Sequence, residues 1–142
     1  LQSRLSINPS LCHFGAKFCY RIYMTTTQLG NSGEDLAIGF LNKSGYKIIE
    51  RNFRIRGGEI DIVALDGNTL VYVEVKTRTS HQFGLPEESV TVRKIKFLER
   101  AAKFYRNNRK NLNLPMLERI DVVTVDSTDG DTQINLIKNA SF

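Results

Sequence analysis

Cysteine is almost absent from this chain. Its 142 residues include only Cys12 and Cys19, and no cysteine follows Cys19. The sequence beyond that point therefore holds neither a disulfide nor a thiolate zinc site, which predicts a domain of the reducing cytoplasm. Cys12, His13 and Cys19 together suggest metal ligands, but their spacing fits no closed zinc set.

Long apolar runs are also absent. None approaches the roughly 18 residues that a helix needs to span a bilayer, so we expect no membrane partner. The composition is 41% hydrophobic and 25% charged, which is typical of one globular domain with an ordinary core.

Acidic residues are missing from the first 23 positions, which hold Arg4, Lys17 and Arg21. We expect residues 1–24 to be a leader that is disordered or lies upstream of the true start, and residues 25–142 to form the domain. Processing, a start at a codon other than Met and a transit peptide are the alternatives. A chain that begins at Met24 should then fold as the full chain does.

The excess of positive charge is small. Lys and Arg number 20 against 15 Asp and Glu, a net charge of +5, and without the first 23 residues the balance is 17 against 15, or +2. Total charge is therefore weak evidence for a nucleic-acid partner, and the positions of the cations must carry that argument.

The most informative stretch, residues 58–78, has the pattern of a β-hairpin. Apolar residues alternate with others in two runs, so each predicted strand has one wholly apolar face. A two-residue loop of Gly67 and Asn68 pairs Asp66 with Thr69, and a four-residue loop gives the same register.

In this register two carboxylates, Asp61 and Glu74, lie opposite each other. Opposed like charges destabilise a sheet by a few tenths to about 1 kcal/mol, and a divalent cation would compensate. Mg²⁺ is commonly held by one or two carboxylates together with substrate phosphates. Lys76, two residues beyond Glu74 on the same face, is placed to orient or deprotonate a metal-bound water. These residues suit phosphodiester hydrolysis.

A simpler interpretation is a solvated hairpin face. Glu59 would then face Lys76 in a surface ion pair worth at most about 1 kcal/mol.

Amphipathic helices are predicted over residues 32–44 and 89–107. Glu34 lies at the edge of the apolar face of the first helix and can reach the sheet, or it is an acid favoured by the helix dipole. Arg93 and Lys94, near the start of the second helix, are candidates for nucleic-acid contact.

The polar loop between hairpin and second helix holds His81, which we expect to be exposed. Further strands are predicted over residues 46–51, 119–126 and 132–138.

This order of helices and strands, together with its motifs, resembles the restriction-endonuclease-like nuclease superfamily and, more closely, the YraN family of uncharacterised bacterial proteins. The resemblance covers roughly residues 30–126. It implies an α/β fold with a mixed central sheet of about five strands flanked by helices. The matching motifs are Gly33-Glu34, Gly45-Tyr46, Arg51-Asn52, Gly58-Glu59-Ile60-Asp61, Val73-Glu74-Val75-Lys76-Thr77-Arg78 and Asp121-Val122-Val123.

The resemblance also implies roles for individual residues. Asp61 and Glu74, with the Val75 carbonyl, would hold Mg²⁺ or Mn²⁺, and Lys76 would lie beside the attacking water. Glu34 would help a second ion through water. Arg78 lies at the end of the matched motif and joins Arg93 and Lys94 as an expected nucleic-acid contact.

Two functions follow from these patterns. The first is a metal-dependent endonuclease that hydrolyses phosphodiester bonds in DNA, including branched or structured DNA. The alternative is a non-catalytic nucleic-acid-binding or assembly module that keeps the nuclease fold. The chain is small, and a homodimer or a protein partner would supply the surface needed to grasp a duplex.

Overall fold

A computed structural model describes residues 19–24, 33–79, 91–128 and 132–140, and for residues 19–24 it describes only the backbone. These ranges contain six strands and two helices. In chain order they are β1 (Cys19–Met24), α1 (Gly33–Lys43), β2 (Lys47–Ile55), β3 (Gly58–Asp66), β4 (Thr69–Arg78), α2 (Val92–Asn108), β5 (Leu117–Asp126) and β6 (Thr132–Ile137).

The strands form one mixed sheet in the order β1-β6-β5-β4-β3-β2. β4 and β5 are parallel, and the other neighbours are antiparallel. Parallel neighbours need a long crossover connection, which here contains α2. The predicted α/β fold with a mixed sheet flanked by helices is confirmed. In the described ranges, no helix is long and apolar enough to cross a membrane.

The two helices cover opposite faces of the sheet. α1 packs on Val71 and Val73 of β4, whereas α2 packs on Leu70 and Tyr72 of the same strand. Successive strand residues point to opposite faces, so the middle of β4 is buried on both sides. Its charged residues therefore belong near its carboxyl end. The buried residues of α1 are Leu36, Ala37, Phe40 and Leu41, and those of α2 are Ile95, Phe97, Leu98, Ala101, Ala102 and Tyr105.

The predicted turn of the β3–β4 hairpin is confirmed. Asp66 pairs with Thr69 around a two-residue loop, and the register continues to Ile62 opposite Val73. Gly67 has a φ of 57°, a left-handed conformation that glycine adopts without a steric penalty. The strand predicted over residues 46–51 is longer in the structure, because β2 continues to pair with β3 as far as Ile55 opposite Gly58.

A buried polar network secures the end of the sheet that carries this turn. Asp121 is fully buried and accepts hydrogen bonds from Arg119 Nε at 2.9 and 3.0 Å and from the Tyr46 hydroxyl at 3.2 Å. Arg119 also donates to Asp66, as does Lys138 at 2.9 Å. The network joins the β3–β4 turn to β5 and to the end of β6.

The segment assigned to the leader contributes a strand. The backbone of Cys19–Met24 pairs antiparallel with β6 over six residues and forms one edge of the sheet. This strand brings the sheet to six strands, one more than the five or so expected. Residues 1–18, the loop segment with His81 and the predicted turn at residues 129–130 lie outside the described residues. The boundary between leader and domain stays a prediction.

Removal of residues 1–24 should therefore lower the melting temperature, contrary to the expectation from the sequence. β6 would lose its outer partner and expose a row of backbone groups. We expect a decrease of about 2–8 °C, the shift that about 1 kcal/mol produces in domains of this size range. Thermal denaturation should be compared with a chain that begins at Cys19 and keeps β1. The chain that begins at Cys19 should melt as the full chain does, and equal melting temperatures for the full chain and the chain without residues 1–24 would show that β1 adds no stability.

Candidate active site

The face alternation of β3 breaks at Asp61. Ile62 belongs to the apolar cluster under α1, whereas Ile60 belongs to the cluster under α2. Residues two apart in a regular strand share a face, so the predicted wholly apolar face is wrong at this point. On the neighbouring strand the ladder skips Asn52, whose φ is 52°. In both strands the alternate side chains switch to the opposite face of the sheet at this point, and Asp61 lies where the switch occurs.

The Asp61 carboxylate is turned toward β4. It is 9% exposed, and its Oδ2 accepts the Val75 N–H at 2.7 Å. This bond follows the point where the regular ladder ends, at Ile62 opposite Val73. Burial raises the pKa of Asp61 to about 6, with the Val75 N–H opposing the rise and the Glu74 charge adding to it. Asp61 and Glu74 are therefore close enough to repel each other.

Glu74 is buried between two ammonium groups. Its side chain is 2% exposed, with Lys76 Nζ 2.7 Å from Oε1 and Lys94 Nζ 2.8 Å from Oε2. The solvated-face interpretation is wrong, because Glu74 is buried and Glu59 pairs with Arg54 at 3.0 Å instead of with Lys76. Two cations offset the cost of burying one carboxylate.

Lys94 is the site residue whose role the sequence did not reveal. We assigned it to nucleic-acid contact, whereas α2 brings its ammonium group to Glu74. The helix begins after Thr91, whose Oγ1 accepts the Lys94 N–H at 3.3 Å. The first turn of α2 holds no acidic residue, although a helix N-terminus favours anions and disfavours cations. This misplaced charge is the signal that could have identified Lys94.

Glu34 approaches the site from the other side of the sheet. A Cβ added to Gly33 would lie 1.9 Å from Thr77 Oγ1, so the start of α1 packs directly on the end of β4. Glu34 is close enough for its charge to raise the pKa of Asp61, but its carboxylate lies 3.9 Å from Arg51. Within the ranges described, no three acidic, histidine or cysteine side chains are grouped closely enough to hold a metal ion.

The remaining predicted contacts border this cluster. Arg78 is the half-buried last residue of β4 and lies opposite Asp126 in the β4–β5 ladder, and Arg93 is exposed on the first turn of α2. The structure thus brings Asp61, Glu74, Lys76 and Lys94 together. Glu34, Arg78 and Arg93 lie around them.

The donor set fits a hard divalent cation. Asp61 and Glu74 supply carboxylates, and Glu74 Oε2 is buried without a well-directed hydrogen bond from the described residues. The N–H and C=O of a strand residue point toward the same neighbouring strand, so the Val75 carbonyl also faces β3. Two carboxylates and a carbonyl suit Mg²⁺, which keeps several waters and binds substrate phosphates.

Comparison with known proteins identifies the family. The model of "Uncharacterised protein family UPF0102" matches residues 33–125. The chain belongs to this family. A UPF0102 protein of Caldicellulosiruptor saccharolyticus is 48% identical over 119 residues, which cover 82% of this chain and 99% of the relative. A UPF0102 protein of Geobacter metallireducens is 46% identical over 112 residues, or 79% of this chain and 90% of the relative.

The sequence resemblance to the YraN family is thereby confirmed. All the candidate site residues, from Glu34 to Lys94, fall within the matched range, whereas β1 and β6 lie outside it. The family description names no activity, so the function must be inferred from the site.

The substitution Asp61→Asn should raise the metal-free stability. Asp61 has a folded-state pKa of about 6, above the ordinary value of about 3.9, so its ionised form costs stability at neutral pH. The free energy of unfolding of the wild type should therefore rise, on the order of 1 kcal/mol relative to that of Asp61→Asn, as the pH falls from about 7 to 4. Denaturant unfolding of both proteins at several pH values measures this difference. A difference that does not vary with pH would contradict the assignment.

Proposed function

We propose that this protein is a metal-dependent nuclease that hydrolyses phosphodiester bonds in DNA, with branched or structured DNA among its substrates. The observation that carries the proposal is the meeting of Asp61, Glu74 and Lys76 where β3 and β4 separate. Two buried carboxylates and an adjacent ammonium group at a strand end suit phosphodiester hydrolysis better than they suit a stable core.

Each residue has a distinct part in this function. Asp61, Glu74 and the Val75 carbonyl would hold Mg²⁺ or Mn²⁺, which when bound supplies a water of lowered pKa and neutralises phosphate charge. Lys76 would orient the attacking water, since its ammonium group already lies 2.7 Å from Glu74. Glu34 would act through water, because it is not grouped with the other two acids.

The surface beside the site supports a nucleic-acid partner. The β2–β3 turn packs on α2 through Gly58, where an added Cβ would lie 2.9 Å from the Phe97 ring. Arg100 Cζ lies 5.9 Å from the centroid of the same ring, so cations of the turn and of the helix share one surface. The cations exposed here are Arg56, Arg93, Lys96 and Arg100. Such a surface attracts a phosphate backbone without regard to base sequence.

Among the described residues, the acids nearest this surface have other neighbours. Glu59 is paired with Arg54, and Glu99 instead lines a cavity with Glu118 and Arg119 on the β5 side of α2. In the described part of the chain, exposed cations thus lie on the turn and along α2, whose first turn carries Lys94. A homodimer or a partner protein would extend this surface.

One observation favours the second function, a non-catalytic nucleic-acid-binding or assembly module. Lys76 and Lys94 occupy both oxygens of Glu74, and the two lysines balance the charges of Glu74 and Asp61 without a metal ion. Such a module would bind nucleic acid in a salt-dependent manner but would neither cleave it nor bind Mg²⁺ or Mn²⁺.

A cleavage panel decides between the two functions. Purified full-length protein with Mg²⁺ or Mn²⁺ should cut at least one of duplex, flapped, four-way and single-stranded DNA. Lys76→Ala should lower the rate by about 10²–10⁴, the usual contribution of a positioned proton-transfer group. Lys43→Ala is the matched control, because Lys43 is exposed at the far end of α1.

The control should cleave as the wild type does, and fluorescence anisotropy should show whether each variant still binds DNA. Cleavage that survives Lys76→Ala would reject the mechanism. Salt-dependent binding by a wild type that cuts no substrate and binds neither metal would favour the second function.

A further inference from the structure

Lys94 and Lys76 hold the same carboxylate from different elements. Lys76 lies on the strand of Glu74, whereas Lys94 reaches it from α2, and the two ammonium groups contact different oxygens at 2.7 and 2.8 Å. The proposed nuclease mechanism gives Lys76 a role beside the water. It leaves the pairing of Lys94 with a buried acid unexplained.

The position of Lys94 is that of a cation shared by two acids. Its Nζ contacts Glu74 Oε2, and its charge also acts on Asp61, where it opposes the effect of burial on the pKa. The contact at Oε2 lacks the direction of a hydrogen bond, so this oxygen stays buried without a well-formed bond from the described residues. An ion that coordinates Oε2 directly would satisfy it better.

A lysine here also opposes local helix electrostatics. Lys94 lies in the first turn of α2, which holds no acid, and a cation at a helix N-terminus is unfavourable. Residues that break a local rule without a local gain tend to lie at functional sites. What offsets this local cost for Lys94 is a tertiary contact, the ion pair with Glu74.

The geometry points to Lys94 as an internal cation that occupies the metal position on Glu74 and is displaced when a divalent ion binds, which frees its ammonium group to contact the scissile phosphodiester. This inference rests on the proposed metal site. The Lys94 ammonium group keeps other partners when it leaves Glu74, because it also donates to the Glu59 carbonyl at 3.5 Å and lies 5.5 Å from the Phe97 ring centroid, and the side chain is 27% exposed. Metal binding and substrate binding would thereby favour each other.

Metal affinity tests this role without any measurement of activity. Isothermal titration of the full chain with Mn²⁺ should show that Lys94→Met lowers the Kd at least threefold, because the competing cation is gone. Lys94→Arg keeps the charge and should bind Mn²⁺ no more tightly than the wild type. Lys103→Met is the matched control, an exposed lysine of the same helix, and should stay within twofold of the wild type.

Loss of the Lys94 charge should weaken the binding of DNA although it strengthens the binding of Mn²⁺. Lys94→Met should raise the KM for DNA although it binds Mn²⁺ more tightly, a combination that a merely structural lysine would not produce. If Lys94→Met does not fold, Lys94→Gln serves the same comparison, since its amide is uncharged but still donates to Glu74. Unchanged or weaker Mn²⁺ binding by Lys94→Met, or by Lys94→Gln in its place, would overturn the inference alone. Absence of Mn²⁺ binding by every protein, the wild type included, would overturn both the inference and the metal-dependent mechanism.

Discussion

The burial of the Glu74 carboxylate is the constraint on which the candidate site depends. A charge that is 2% exposed is tolerable only when close opposite charges replace the lost hydration. One of these charges comes from β4 and the other from α2, so the packing of α2 and the electrostatics of the site are coupled. Loss of one partner of a buried ion pair typically costs about 3–5 kcal/mol. The site is thus part of what holds the helix on the sheet.

The change of face at Asp61 is the second requirement. In a regular strand, Asp61 would project from one face of the sheet and its backbone would continue the ladder with β4. Here the backbone ladder with β4 ends at Ile62, one residue earlier. The Asp61 side chain, and not a backbone carbonyl of β3, accepts the hydrogen bond from the Val75 N–H. The strands separate without leaving that amide unpaired. At this separation the Asp61 carboxylate lies directly against the backbone of Val75.

The charged networks at the two ends of the β3–β4 hairpin differ in what they can do. At the turn, the Asp121 carboxylate accepts hydrogen bonds from Arg119, Tyr46 and the Asn139 N–H, and these three donors hold it in place. At the other end, two carboxylates repel each other and Glu74 Oε2 receives no well-directed hydrogen bond from the part of the chain that the structure describes. The first arrangement suits a fixed scaffold, and the second suits the proposed cation site. A rigid scaffold at one end supports strained electrostatics at the other.

The sequence by itself determined the hairpin, the order of the elements from α1 to β6 and the family. Period-two alternation and the Gly67-Asn68 turn are local signals, and they fixed the register of Asp66 with Thr69 because a slip of one residue would bury charge. That register also placed Asp61 near Glu74. Only the tertiary structure decided the change of face at Asp61, the addition of β1 to the sheet edge and the pairing of Lys94 with Glu74. Each depends on contacts between segments far apart in the chain, whose geometry is set by packing and by long-range charge and not by any local repeat.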